Sequence, residues 1–140
     1  MKGEKGGYLQ PAVGAVVIHK GKILLVKRAN PPQKGKWTVP GGSVKKGETL
    51  RKAAEREVLE ETGLIISARD PVYTFEIIDR YPDGKIRFHY RVVDVMGEYV
   101  SGSLKAADDA SETGWFSLED LETIELSKTM NTLLKKINLT

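Results

Sequence analysis

The segment from Thr49 to Thr62 constrains this chain more than any other, because it reads as a helix whose buried face turns acidic partway along. Thr49 offers an N-cap side chain, and Gly63 stands where a left-handed residue ends a helix. At about 100° per residue, Leu50, Ala53 and Ala54 fall on one stripe. One turn further, that stripe meets Glu57, Glu60 and Glu61. A solvated charged face would lie opposite the apolar stripe, whereas these acids lie in line with it. Carboxylates spaced i,i+4 repel one another and weaken a helix. A divalent cation offsets that repulsion. Mg²⁺ takes oxygen ligands, keeps several waters, and joins carboxylates to substrate phosphates.

The flanks point the same way. Pro40-Gly41-Gly42 supplies backbone with no side chains in the way, so peptide groups can come close to a metal or a phosphate. Gly47-Glu48 turns the chain into the helix. Arg56 adjoins Glu57 and is spaced i,i+4 from Glu60, so its guanidinium can orient a carboxylate by charge-assisted hydrogen bonds. Each piece alone has an ordinary explanation, a solvated acidic helix or a simple turn. Their conjunction does not.

The run Gly42-x5-Glu48-x7-Arg56-Glu57-Val58-x-Glu60-Glu61-x-Gly63-Leu64 resembles the Nudix box at all nine specified positions across 23 residues. A hairpin before the box, Trp37 just ahead of it and Trp115-Phe116 beyond it extend the likeness from about Ala12 to about Leu121. The resemblance implies an α+β fold, the Nudix α/β/α sandwich, with a mixed β-sheet between helices. It implies Mg²⁺, with Mn²⁺ as a substitute, held by Glu57, Glu61 and the backbone carbonyl of Gly42. Glu60 is then a further ligand or the base acting on water, and Arg56 and Glu48 hold the carboxylates in place. Whether Glu60 or Glu61 is the base stays open. Asp108, Asp109 and Glu112 lie in a downstream stretch expected to be a loop, from which a ligand or base could come; a plain solvated acidic loop explains them equally well.

The implied reaction is hydrolysis of a pyrophosphate bond in a nucleoside diphosphate linked to another moiety. Its charges fit. A pyrophosphate repels hydroxide, so the site must neutralise phosphoryl oxygens, make water acidic, and accept its proton. An ADP-ribose-type substrate is favoured by the likeness of Asn30-Pro31-Pro32, Gly35-Lys36-Trp37 and Asp108-Asp109-Ala110 to small ADP-ribose pyrophosphatases. The alternatives are a (d)NTP or 8-oxo-dGTP and a dinucleoside polyphosphate. Tyr81 and Pro82 are weak markers here, since Tyr81-Pro82-Asp83-Gly84 reads as a hairpin turn. A nucleotide-sensing Nudix domain without catalysis usually has a damaged box, and this box is complete.

Bulk properties set the remaining bounds. With 140 residues, the chain is expected to form one domain over 1–140, its first ten residues a flexible segment. Absence of cysteine excludes disulfides, thiolate zinc sites and cysteine nucleophiles. No signal-like stretch opens the chain and its apolar runs are too short to span a bilayer, so a cytoplasmic protein with no membrane partner is expected. The net charge of +3 comes from basic residues scattered along the whole chain, which argues against a groove for a nucleic-acid polymer.

Patterning predicts strands at Ala12–Ile18, Ile23–Arg28 and Trp37–Val39, and a hairpin of Val72–Arg80 with Lys85–Val95. Trp115-Phe116 reads as a strand end, Ser117 as the cap of a short helix, and Ser127–Asn138 as a C-terminal helix. The apolar stripe of that last helix (Met130, Leu133, Leu134, Ile137) serves a core more often than an interface, which leaves a homodimer open. His19 is expected on the surface of a turn and His89 within a strand; neither is needed for the chemistry.

Overall fold

The two faces of the sheet are written into β1 (Gln10–His19) by strict alternation. Val13, Ala15 and Val17 pack into one apolar cluster, with Ala53, Ala54 and Val58 of the helix α1 (Leu50–Thr62). Val16 packs into the other, with Leu121 of α2 (Leu118–Leu121) and with Met130 and Leu133 of α3 (Lys128–Lys136). β2 (Lys22–Arg28) alternates likewise, Leu24 facing α1 and Ile23 and Leu25 facing α2 and α3. A mixed sheet thus lies between helices, the α+β sandwich expected from the sequence. The computed structural model describes residues 9–30, 33–105 and 110–137, without the side chains of 110 and 111. The N-terminal segment's residues 1–8, Pro31-Pro32, Asp108, Asp109 and Asn138 lie outside the described residues.

The sheet runs β3-β2-β1-β6-β5, where β3 is Trp37–Thr38, β5 is Ile65–Arg80 and β6 is Ile86–Ser101. β4 (Gly41–Ser43) pairs with the first half of β1, and β7 (Ala110–Phe116) pairs with β2. Among the described strands β1 and β6 run parallel, with Gly14 opposite Asp94, and an isolated parallel bridge joins Trp37 to Leu126. The β1–β2 turn places Lys20 and Gly21 at φ 52° and 76°, both left-handed, as a two-residue hairpin loop requires.

Three expectations are revised. β5 and β6 extend well beyond the predicted hairpin, because bulges around Ala68–Tyr73 absorb Pro71 without ending the strand. Pro40-Gly41-Gly42 is not merely a loop: Gly41, Gly42 and Ser43 form the antiparallel ladder with Gly14, Val13 and Ala12. A Cβ at Gly41 would collide with the Val13 carbonyl oxygen, so glycine there permits close strand approach. His19 ends β1 rather than sitting in the turn, and its ring packs 4.5 Å from Tyr99 and 5.8 Å from Trp115.

Candidate active site

The acidic helix forms as its ends dictate. Thr49 Oγ1 accepts from Lys52 N, and Gly63 at φ 82° closes the helix with its N–H on Leu59 O. The buried side of α1 comprises Ala53, Ala54, Val58, Glu61 and Thr62. Glu61 is therefore the acid that truly continues the apolar stripe. Glu57 flanks it and is half-buried, while Glu60 is exposed.

Arg56 ties the region together with all five of its N–H donors. Its Nε and Nη2 grip both oxygens of Glu48 at 2.7 and 3.0 Å. Nη1 donates to Glu57 at 2.9 Å and to Glu60 at 3.2 Å, and Nη2 donates also to the Ser43 carbonyl at 3.0 Å. One side chain thereby fixes β4, the helix approach and the acidic turn relative to one another. The Arg56 hydrogen bonds, with a further one from Lys45 N, hold the Glu48 carboxyl at about 2, far below its ordinary value. The same ion pairing raises the Arg56 pKa.

Gly42 faces this cluster. A Cβ there would fall 2.6 Å from the Glu57 carboxyl, so the missing side chain is what lets that carboxyl lie against β4. Glu57 and Glu61 line one cleft of about 880 Å³ together with Gly41, Gly42 and Ser43. Glu60 does not line it and is turned onto Arg56 instead. As the side chains stand, no three acidic or histidine groups among the described residues are gathered close enough to enclose an ion. The donor set that fits a hard cation is therefore Glu57, Glu61 and Gly42 backbone, all facing the cleft.

The predicted loop around Glu112 is strand at that point. Glu112 lies in β7 opposite Lys27, with Lys27 Nζ 3.5 Å from its carboxylate, and is not among the residues lining the cleft. His89 occupies its predicted strand, its Nε2 2.7 Å from Glu76 Oε1.

One cleft residue escaped the sequence reading. Asp94 is only 3% exposed, and its Oδ1 has no hydrogen-bond partner among the described residues. Burial pushes its carboxyl up to about 7. The signal was a single acid inside the apolar run Val92-Val93-Asp94-Val95-Met96.

Comparisons with known proteins give the family and the fold. A family model described as the NUDIX domain matches residues 8–137. An ADP-ribose pyrophosphatase of Methanocaldococcus jannaschii is 42% identical over 116 residues, 81% of this chain and 66% of that protein. The chain thus spans a little under two thirds of that relative's length. A MutT NUDIX hydrolase from Burkholderia pseudomallei superposes with a TM-score of 0.78 at 27% identity, covering 94% of this chain and 99% of the other. The NUDIX domain of Shewanella oneidensis NrtR, solved with ADP ribose, shares the fold at a TM-score of 0.71 and 23% identity, over 92% of this chain and 86% of that one. No helix among the described residues is long and apolar enough to cross a membrane. On the match over residues 8–137, the chain belongs to the NUDIX domain family.

Proposed function

We propose that this protein hydrolyses the pyrophosphate bond of a nucleoside diphosphate derivative of the ADP-ribose type, with Mg²⁺ as cofactor and Mn²⁺ as its substitute. The observation that carries the reading is the pair of carboxylates, Glu57 and Glu61, opening into one cleft beside side-chain-free backbone at Gly41 and Gly42. Glu57, Glu61 and the Gly42 carbonyl would hold the cation. When bound, it supplies positive charge against the phosphoryl oxygens and makes water acidic enough to react near neutral pH.

The protein's own groups do the rest. Arg56 aims the Glu57 carboxyl and holds Glu60 beside it, and Glu48 fixes Arg56. Glu60, exposed and adjacent, or Glu61, buried in the cleft wall, accepts the proton from water. The name of the Methanocaldococcus relative, an ADP-ribose pyrophosphatase, supports ADP-ribose over a nucleoside triphosphate. Incubation with ADP-ribose and Mg²⁺ tests the proposal: AMP and ribose 5-phosphate are the expected products. If 8-oxo-dGTP is cleaved and ADP-ribose is not, the substrate assignment fails.

A further inference from the structure

A buried carboxyl with an unbonded oxygen is a costly feature, and the reaction just described gives Asp94 no part. Its place in the fold is specific. Gly41, Gly14 and Asp94 lie in one lateral row across β4, β1 and β6, and Gly14 alternates onto the same face as Val16, which packs with Met130 and Leu133 of α3. A Cβ at Gly14 would overlap Asp94 Oδ1, and the Val39 side chain closes in 3.1 Å from the same point. The carboxyl is thus seated in a slot left by a glycine and walled by apolar groups. It lines the cleft that Glu57 and Glu61 line.

Two strand spacings put Asp94 about 10 Å across the sheet from Gly41 and the backbone near the acids. A diphosphate anchored at the acids would present its nucleoside half, not its phosphates, at that distance, and a carboxyl suits a hydrogen-bond donor rather than an anion. The cleft lining nearest to it is apolar, with Val39 beside the slot, Val92 two residues back on β6 and Phe75 paired with Val92. Flat apolar walls suit the faces of a nucleobase better than the hydroxyls of a sugar.

We propose that Asp94 reads the base, its carboxyl pairing with an amino group and the adjacent ring nitrogen of the kind adenine presents. The inference rests on the cleft being the nucleotide site of the preceding reading. A neutral carboxyl supplies the matching pair, C=O accepting from the amino group and O–H donating to the ring nitrogen. Burial favours that neutral form. A ligand bound this way satisfies Oδ1, the buried oxygen that the described residues leave without a partner. Cytosine carries the same edge on a smaller ring, so the test includes both.

The test measures calorimetric affinities of the full chain, loaded with Mg²⁺, for AMP, CMP, ribose 5-phosphate and purine riboside 5′-monophosphate, which lacks the amino group. Wild type should bind AMP more tightly than each of the other three, CMP included, and by about tenfold over the purine riboside. Asp94→Ala should weaken AMP by about tenfold or more while leaving ribose 5-phosphate within about twofold. Asp94→Asn, which presents the same donor and acceptor, should keep AMP within about threefold of wild type. Equal affinity of wild type for AMP and purine riboside 5′-monophosphate would overturn the proposal, and this comparison needs no variant to fold. So would a common loss of AMP and ribose 5-phosphate in Asp94→Ala, which marks a merely structural residue. Absence of AMP binding by wild type overturns it as well. ADP-ribose turnover in the same preparation separates the two claims: turnover with an affinity indifferent to Asp94 sinks only this one, and Asp94-dependent AMP binding without turnover sinks only the hydrolase.

Discussion

Gly14 and Asp94 face each other across the parallel β1–β6 ladder, and the carboxyl of Asp94 fills the space that any side chain at position 14 would need. Neither residue makes sense without the other. A strand interior disfavours glycine, and an apolar sheet face disfavours an unpaired acid.

Gly14→Ala should therefore destabilise the protein by about 1–3 kcal/mol, the usual range for forcing a methyl into a packed core. In an Asp94→Ala background, the same change should cost much less, because the colliding oxygen is gone. Urea denaturation of the four proteins measures the coupling. Equal costs in both backgrounds would show that the two residues do not share that space.

The Asp94 carboxyl also makes stability depend on pH. Its folded value, about 7, lies above its ordinary 3.8, so between these values the folded state keeps a proton that the unfolded chain has released. Stability then falls as pH rises through that window, and is lowest once both states are ionised. The full effect is about 4 kcal/mol at 1.36 kcal/mol per unit. Asp94→Asn should remove this slope, its advantage over wild type growing from pH 4 to pH 8 in thermal melts. A constant difference across that range would contradict the assignment.

Much of this was legible in the residues. Thr49 and Gly63 marked the ends of α1, because cap chemistry is local and needs no partner strand. The likeness to the box pointed to Glu57, Glu61 and Gly42, and all three line one cleft. β4 was not legible: Pro-Gly-Gly reads as a turn, and only pairing with Ala12–Gly14 makes it a strand. The beginning of β5 was hidden by Asp70-Pro71, whose disruption the bulge absorbs. Asp94 stood out as one acid among valines, but its meaning depends on register. Only the parallel pairing with β1 sets it against Gly14.

Arg56 has no adequate substitute. Arg56→Lys retains a charge but cannot grip both oxygens of Glu48 while also reaching Glu57, Glu60 and the Ser43 carbonyl. Turnover should fall about 10–100-fold, as for other residues that orient metal-holding groups. The protein should also become less sensitive to acid. Glu48 titrates at about 2 against an ordinary 4.5, so its contribution is present above 4.5 and lost as pH falls through 2. Arg56→Lys should reduce that acid-induced loss, read by circular dichroism across pH 2 to 5.

Gly42→Ala tests the other wall of the site. The added methyl would lie 2.6 Å from the Glu57 carboxyl and push it away from β4. Cation affinity and turnover should drop together by at least about tenfold. Tight Mn²⁺ binding by the variant, followed by paramagnetic resonance, would mean that Gly42 and Glu57 are not on the same ion.

The most direct measurement is product release from ADP-ribose by wild type and Glu57→Gln in Mg²⁺, with and without EDTA. Glu57→Gln keeps the size of the side chain, and its amide oxygen can still accept from Arg56, but it removes the charge facing the cleft. Wild type should yield AMP and ribose 5-phosphate, EDTA should abolish the reaction, and the variant should be slower by about a hundredfold or more. Wild-type rates in the variant, or turnover that persists in EDTA, would contradict the proposed role of this cleft.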